Sequence, residues 1–407
     1  MNPRPPWTST APRTGNWSRR SFVDEERILP VKTRRRIKVW TLTGYRAGER
    51  QQILALAEAL GFPFEEKLIH HGIGTAGASL LRRVSLVGIP ASDRAALAPP
   101  FPDLLIAAGA RNEPAARWIR RRSRGGTKLV FVGRTWAPPS AFDLVVTTPQ
   151  YRVPPAPQVL ENLGTLHRVR SDRLGRAGKR FRGEFARCPK PRLGVLVGGP
   201  SGPYAFGVRA ARRLVRAAEE EARRLGASSL LVTTSARTPS DVVTVLEEEF
   251  TMPAFVHRWR RNDPENPYLA ILAESAALLV TGDSVAMISE AIQTGKTVRL
   301  FDPGRGRFSM RAPDGPPVTD AEKNDFRWKA WGYDLMMRRG PRRLSRDLAL
   351  FHRRIIGAGH AGWVGDPLPP TRPEPPRDLE RTVERVRALL RIGAGDVHEE
   401  FGVAAEA

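Results

Sequence analysis

Two stretches of this chain alternate short apolar runs with segments of helical periodicity. In the first stretch, mostly apolar runs predict strands at 37–43, 103–107, 128–132 and 143–147. Helical spacing occurs between them, at 113–122 and in the segment that ends at Leu60. Such alternation is typical of a parallel sheet with helices on both faces.

The alternation stops near residue 170 and starts again at residue 193. The intervening segment is rich in Arg, Gly and Pro, which indicates a linker. Apolar stripes predict helices at 205–225 and 284–294. Strands of this second stretch are predicted at 193–197, 229–233, 254–257, 277–281 and 297–301.

We therefore predict an α/β fold in which two Rossmann-like domains face each other across a cleft. A chain of 407 residues is longer than one hydrophobic core usually requires, so two domains are expected. The predicted segments are a disordered basic tail at 1–36, an N-terminal α/β domain at 37–170, a basic linker at 171–192, a C-terminal α/β domain at 193–345, and C-terminal helices with a tail at 346–407.

Composition restricts the partners. The formal net charge of +24 favours an anionic partner such as a membrane surface. The chain has 57 Arg and 9 Lys, and this compositional bias accounts for much of that charge. Nucleic acid is disfavoured, because the aromatic residues do not alternate with the basic ones as a stacking platform requires. No run of eighteen apolar residues occurs, which argues against a membrane span.

The single cysteine, Cys188, excludes an intrachain disulfide and a cysteine cluster for zinc. We therefore expect a reducing compartment, the cytoplasm, with peripheral attachment to a membrane as a further option. The histidines include the pair His70-His71 but no His-Glu-x-x-His motif, so we predict no metal site and no cofactor.

Residues compatible with phosphate follow four strands of the C-terminal domain. Glycines let backbone amides approach an anion, an arginine fork binds phosphate oxygens, and a helix N-terminus adds its positive dipole. Because carboxyl ends of parallel strands share one edge, we expect these loops to lie together. Each residue also has a purely structural interpretation, as a tight turn or a helix cap. The loop residues are Gly198, Gly199, Ser201, Thr234, Ser235, Arg237, Asn266, Asp283 and Ser284.

Glu290 lies one and a half turns into the helix that Ser284 opens. A carboxylate there repels phosphate but accepts hydrogen bonds from ribose hydroxyls, whereas the alternative is a solvent-facing glutamate. Together with the loops, Glu290 predicts a pocket for a nucleoside diphosphate.

Several motifs, taken in order, resemble the ELM-type mitochondrial fission family, which is itself similar to the GT-B nucleotide-sugar glycosyltransferases. The resemblance extends from about Ile37 to Phe301, and the first domain contributes GERQQ at 48–52 and AAGAR at 107–111. Many members carry a His-Asp pair at a position where this chain has TPQYR, at 148–152. The motifs of the second domain are GGPS at 198–201, TSARTP at 234–239, NPY at 266–268 and VTGDSVAMISEA at 280–291.

The resemblance implies a GT-B architecture, in which the C-terminal domain holds a nucleotide-sugar donor and the N-terminal domain holds the acceptor. On that pattern Glu290 binds the ribose, Ser284 and the amides beside it contact the diphosphate, and Met287 belongs to the same donor-binding motif. Arg237 would neutralise the leaving group in place of a metal. The residues expected on the acceptor side are Gly44, Gly48, Gln52 and Arg111. The alternatives for the general base are Glu49, His70, His71 and Glu113.

Two functions remain open. The first is a metal-independent glycosyltransferase that transfers a sugar from a nucleotide donor to an acceptor. The alternative is a non-catalytic GT-B-like interaction protein of the mitochondrial fission family type. An NAD-dependent nucleotide-sugar epimerase is disfavoured, because GGPSG does not match the G-x-G-x-x-G turn of dinucleotide-binding enzymes.

Overall fold

The structure, a computed structural model, describes residues 37–391 except 45, 73–83, 203, 306–307, 312–324, most of 326–345 and 368–372. Within these residues the chain forms two six-stranded sheets, each with all its strands parallel. The prediction of an α/β fold with two Rossmann-like units is therefore confirmed. The predicted tail at 1–36 lies outside the described residues.

The first sheet has the strand order β2-β1-β3-β4-β5-β6. Its strands β1 and β3 are buried at every position, because helices cover both faces, and β3 is accordingly the apolar run LLIAA. The strands are β1 (Val39–Thr43), β2 (Phe64–Leu68), β3 (Leu104–Ala108), β4 (Lys128–Val132), β5 (Leu144–Thr147) and β6 (Val159–Glu161), and the helices are α1 (Ala47–Leu60), α2 (Ala91–Ala95) and α3 (Glu113–Arg122).

The second sheet has the strand order β12-β11-β10-β7-β8-β9. Its strands are β7 (Arg192–Leu196), β8 (Ser229–Thr233), β9 (Ala254–His257), β10 (Ala277–Thr281), β11 (Thr297–Phe301) and β12 (Gly362–Trp363). The helices that follow β6 in the chain are α4 (Ser171–Arg180), α5 (Val208–Arg224), α6 (Ser240–Glu248), α7 (Tyr268–Glu274), α8 (Val285–Gln293), α9 (Leu348–Gly357) and α10 (Asp378–Leu390).

Each sheet contains a switch point, where the chain stops adding strands on one side and continues on the other. In the first sheet the switch point lies between β1 and β3, and in the second it lies between β7 and β10. In doubly wound sheets the two loops at such a point usually diverge and leave a crevice beyond the carboxyl ends of the strands. Ligands of doubly wound sheets bind in such crevices.

The segment 171–192, predicted as a linker, connects the two sheets but contains the regular helix α4. Phe181 and Phe185, which follow this helix, are buried in the core of the second sheet. Exposed basic residues at the surrounding positions hid this apolar spacing from the sequence analysis. None of the helices in the described part of the chain has the length and apolar content needed to cross a bilayer.

The last described helix, α10, returns to the first sheet. Its Val386 is fully buried in the core that α1 and the first sheet share. The Asp378 carboxylate at its start accepts hydrogen bonds from the amides of Gly164 (2.7 Å) and Leu163 (3.2 Å), in the segment that leaves the first sheet. Thr382 also accepts a hydrogen bond from the Asn162 side chain at 2.9 Å.

We expect Asp378→Ala to lower the free energy of unfolding by about 1–3 kcal/mol, because it leaves the buried Gly164 amide without an acceptor. Urea denaturation at pH 7 measures this change. Glu384→Ala, which removes an exposed carboxylate from the same helix, is the control and should change stability by less than about 0.5 kcal/mol. Equal stability of the two variants would contradict the anchoring role of Asp378.

Candidate functional site

The loops after β7 and β10 meet at the switch point of the second sheet. The Gly198 amide donates to Thr281 Oγ1 at 2.8 Å, and the Gly199 amide donates to Asp283 Oδ2 at 2.9 Å. A Cβ atom at Gly199 would collide with the carbonyl of Arg237, so only glycine permits this approach. The two loops are therefore joined by Asp283, which the sequence analysis had selected, and by Thr281, which it had not.

Arg237, from the loop after β8, joins the same cluster. Its Nη2 donates to Asp283 Oδ2 at 2.7 Å, and its Nη1 donates to the Gly199 carbonyl at 2.9 Å. The Asp283 carboxylate is almost fully buried, with 1% exposure, whereas 41% of the Arg237 side chain is exposed. Three of the predicted loops thus converge on one ion pair.

The expectation that the amides of Gly198 and Gly199 are free to bind an oxyanion is wrong. Both amides are bonded to side chains of the β10 loop. The physical reason is the burial of Asp283, since a carboxylate removed from water must be supplied with donors by the protein. Anion binding at this edge would therefore depend on Arg237 and on the first turn of α8.

Ser284 is the N-cap residue of α8, but its side chain accepts no capping hydrogen bond. Its carbonyl accepts the Ile288 amide at 3.0 Å, which begins the helical hydrogen-bond pattern. The first-turn amides of α8 therefore lack a side-chain cap, and the positive end of the helix dipole is directed at the switch point. Met287, also in the first turn, is half-buried and packs on the core of the second sheet.

Glu290, further along α8, accepts a hydrogen bond from the Tyr268 hydroxyl of α7. Burial raises the pKa of Glu290 to about 7, and the Tyr268 hydrogen bond opposes this rise. Burial and the adjacent carboxylate also raise the pKa of Tyr268. Glu290 is half-buried and bonded to Tyr268, which disagrees with the solvent-facing alternative, and its carboxyl lies about 9 Å along the helix from Ser284.

The other predicted donor residues have local roles. Thr234 accepts the Trp259 amide at 2.9 Å and donates to the His257 carbonyl at 3.3 Å. Ser235 is hydrogen-bonded to Thr238, Asn266 accepts the Tyr268 amide, and Ser201 pairs with Tyr204 in a short bridge. These bonds give the structural interpretation of each residue, as a loop or helix-start contact, and they orient the loops that surround Arg237.

On the first sheet, Glu49 reaches the switch point between β1 and β3. It lies in the first turn of α1, and its carboxylate would overlap a Cβ atom at Gly109, which follows β3 with a φ of +87°. Burial raises the pKa of Glu49, while Arg46, Arg134 and Arg346 act in the opposite direction.

The predicted acceptor-side residues surround this position. Gly44 adjoins the side chains of His71 and Asn112, and Arg111 is exposed after β3. Gln52 donates to the Gly48 carbonyl at 3.2 Å and lines a small cavity with Tyr151. These residues gather near the carboxyl edge of the first sheet.

The other general-base alternatives are engaged elsewhere. The Glu113 carboxylate accepts the amides of Trp136 (2.7 Å) and Ala137 (2.8 Å), so it braces the loop after β4. His71 is paired with Asn112 at 2.9 Å, and His70 is paired with Asp93 at 3.0 Å. Glu49 is also engaged, by Arg46 at 3.2 Å, and it is the base candidate that lies against Gly109 at the switch point.

A family model described as Mitochondrial fission ELM1 matches residues 47–311. This chain belongs to the mitochondrial fission ELM1 family. Mitochondrial fission protein ELM1 of Arabidopsis thaliana is 29% identical over 247 residues, or 55% of this chain and 57% of that protein. The chain thus matches less than two thirds of the length of this curated relative.

Three solved structures show likenesses over most of this family member. The UDP co-structure of S. aureus MnaA is 10% identical, covers 88% of this chain and 98% of its own, and has a TM-score of 0.44. CalG4, the calicheamicin glycosyltransferase, is 14% identical over 90% and 95%, with a TM-score of 0.42. Acinetobacter baumannii MurG is 12% identical over 86% and 99%, with a TM-score of 0.36. These alignments carry no information on ligands or activity.

The sequence analysis did not select Tyr268 as the partner of Glu290, although Tyr268 belongs to the motif NPY. Its only sequence signal was a tyrosine at a helix start, because the contact with Glu290 joins two helices 22 positions apart. It also missed the group of arginines that includes Arg134 and Arg346, which come from distant parts of the chain.

We expect the Glu290 carboxyl to make this protein less stable as the pH rises. A folded-state pKa of about 7, above the ordinary 4.5, stabilises the protein fully below about pH 4.5, and this stabilisation is lost as the pH rises through 7. Glu290→Gln keeps an acceptor for Tyr268 and cannot ionise. At pH 8 its free energy of unfolding should exceed that of wild type by about 1–3 kcal/mol, and the difference should shrink towards pH 5.

Urea denaturation at pH 5, 6.5 and 8 checks this expectation. Glu248→Gln, at an exposed position on α6, is the matched control and should show the same difference from wild type at each pH. A Glu290→Gln difference that does not depend on pH would sink the assignment of a raised pKa.

Proposed function

We propose that the chain binds a nucleotide-sugar donor in its second lobe, which is built on the second sheet. It would transfer the sugar, without a metal, to an acceptor on its first lobe, which is built on the first sheet. The observation that carries the proposal is the convergence of three strand-end loops on Arg237 at the switch point, beside the uncapped N-terminus of α8. An arginine fork and free helix amides are groups that bind a diphosphate.

The donor would exchange one contact of Arg237 for another. Nη2 of Arg237 is bonded to Asp283, and the exposed part of the side chain faces outwards from that buried carboxylate. A diphosphate would compete with Asp283 for this nitrogen, while Nη1 stays on the Gly199 carbonyl. The cation would then stabilise the negative charge that develops on the leaving nucleoside diphosphate.

Glu290 supports a ribose contact. Two ribose hydroxyls can donate to an ionised carboxylate, and the Tyr268 hydroxyl already donates to one of its oxygens. Such donors favour the ionised form, so donor binding would lower the raised pKa of Glu290. Donor binding above the free-state pKa would therefore require no proton release, whereas binding below it would release a proton.

Glu49 is the group we assign as general base in an inverting transfer. It would take the proton of the acceptor hydroxyl as that oxygen bonds to the anomeric carbon. The bond between this carbon and the donor phosphate oxygen breaks at the same time, and the nucleoside diphosphate leaves. The position of Glu49 at the switch point of the first sheet and its raised pKa suit the role of general base.

A second candidate is a non-catalytic interaction protein. The observation that favours it is that Asp283, a residue of the chain itself, already occupies the cation that a diphosphate would need. The name of the Arabidopsis relative refers to mitochondrial fission, and a scaffold for protein partners would agree with that name.

Isothermal titration of UDP, GDP, ADP and CMP distinguishes the two functions. We expect one nucleotide to bind wild type, and Arg237→Gln and Glu290→Ala each to weaken that binding about tenfold or more, because each removes a hydrogen bond to a charged group. Glu248→Gln is the control and should bind as wild type does. If none of the four nucleotides binds, the non-catalytic interaction protein becomes the better proposal.

Slow hydrolysis of the bound nucleotide-sugar, with water as acceptor, tests the base. Glu49→Gln should lower this rate about 10²–10⁴-fold and leave the nucleotide Kd unchanged. Glu161→Gln removes an exposed carboxylate from the same lobe and should leave both quantities unchanged. An unaltered rate in Glu49→Gln would show that another group accepts the proton.

A further inference from the structure

Arginines from both lobes meet around Tyr151, which follows β5. Arg134 follows β4 in the first lobe, and its guanidinium lies 6.0 Å from the centre of the Tyr151 ring. Arg346 precedes α9 of the second lobe, and its guanidinium lies 5.9 Å from the same ring. The fold therefore holds two cations beside the same aromatic ring, and like charges repel.

One nitrogen of Arg134 is left without a hydrogen bond in the part of the chain that the structure describes. Its Nη1 atom is buried and has no hydrogen-bond partner among the described residues. Burial lowers the pKa of Arg134, and the charges of Arg346 and Arg46 lower it further. A buried N–H donor without an acceptor is costly, and a bound ligand could supply that acceptor.

Arg346 is held in place by a neutral group. Its Nε and Nη2 atoms donate to Gln150 Oε1 at 3.0 and 2.8 Å. Gln150 is 1% exposed, and its main-chain carbonyl accepts the Asp347 amide at 2.8 Å. The main chains of Gln150 and of the residue next to Arg346 are therefore bonded to each other as well. An amide oxygen orients the guanidinium and leaves its charge uncompensated.

Two described carboxylates near the arginines are engaged by other cations. Asp347 is ion-paired with Arg152, and Glu49 is ion-paired with Arg46 at 3.2 Å. Among the described residues, neither carboxylate forms an ion pair with Arg134 or Arg346. Both arginines lie near the carboxyl edge of the first sheet, and both act on the carboxylate of Glu49 through their charges.

We propose that Arg134 and Arg346 form an oxyanion subsite that binds a phosphate group of the acceptor. Two guanidinium forks suit a dianion, because each fork can donate two parallel hydrogen bonds to phosphate oxygens. The assignment to the acceptor rests on the proposed transferase function, in which Glu49 beside the subsite receives the acceptor proton. The other source of a phosphate group is the diphosphate of the donor.

Titration of inorganic phosphate into the full chain at low salt tests the subsite without any nucleotide. Wild type should bind phosphate, and Arg134→Gln and Arg346→Gln should each weaken binding about tenfold or more. Arg353→Gln, which removes an exposed arginine from α9, is the control and should bind as wild type does. Absence of phosphate binding, or equal binding by all four proteins, would overturn the proposal.

A second titration, with the protein saturated by its best nucleotide, separates the two sources of phosphate. Phosphate binding that persists supports an acceptor subsite, whereas phosphate that the nucleotide displaces assigns the arginines to the donor and overturns the proposal. If no nucleotide binds, the transferase proposal falls, while loss of phosphate binding in the two variants still supports the anion subsite.

Thermal unfolding shows whether the variants are folded and adds a second readout. Arg134→Gln removes a buried cation that Arg346 repels, so its melting temperature without phosphate should equal or exceed that of wild type. Added phosphate should raise the melting temperature of wild type and of Arg353→Gln, and should leave that of Arg134→Gln unchanged. A rise of equal size in Arg134→Gln would contradict the subsite.

Discussion

The burial of the Asp283 carboxylate is the constraint on which the carboxyl edge of the second sheet depends. A carboxylate with 1% exposure is stable only when the protein supplies hydrogen-bond donors and a compensating charge. The Gly199 amide and Arg237 supply a donor and a charge to Oδ2, and they come from the loops after two other strands, whereas Oδ1 has no hydrogen-bond partner among the described residues. One buried charge thereby fixes the relative positions of three loops that are separated in the sequence.

Helix α8 connects these loops to the segment that leaves the first lobe. Its N-terminus lies at the loops that Asp283 joins, and Glu290 on one side contacts Tyr268 of α7. On another side, Ser289 accepts the Thr165 amide at 3.0 Å, and the close approach of Gly164 leaves no space for a side chain there. The helix that we assign to the donor is thus packed directly against the segment that connects the lobes.

Much of the fold could be predicted from the sequence, because buried parallel strands are continuous apolar runs. Strands such as β8 (Ser229–Thr233) and β10 (Ala277–Thr281) agree with the predicted ranges. The edge strand β2 was missed because FEEKL is half-exposed and charged, and β12 was missed because it has only two residues. Edge strands lack the burial on both faces that produces an apolar run.

The site could be predicted only in part. Sequence order indicates which residues follow strands, and this was sufficient to select Gly199, Arg237 and Asp283. Sequence order does not specify hydrogen-bond partners, so the hydrogen bonds from the Gly198 and Gly199 amides to Thr281 and Asp283 were not predicted. The proximity of Arg134 and Arg346 depends on how α9 packs on the first lobe. No local sequence pattern specifies that packing.

Because α10 packs on the first sheet, the first lobe is synthesised early but cannot complete its core until α10 has been made. The first lobe is made early, but the helix that carries Val386 into its core emerges from the ribosome some 220 residues after Thr165. At typical elongation rates that interval lasts about 10–40 s. Until then the face of α1 that α10 covers stays open to chaperones and to other nascent chains, whereas the second sheet can close first.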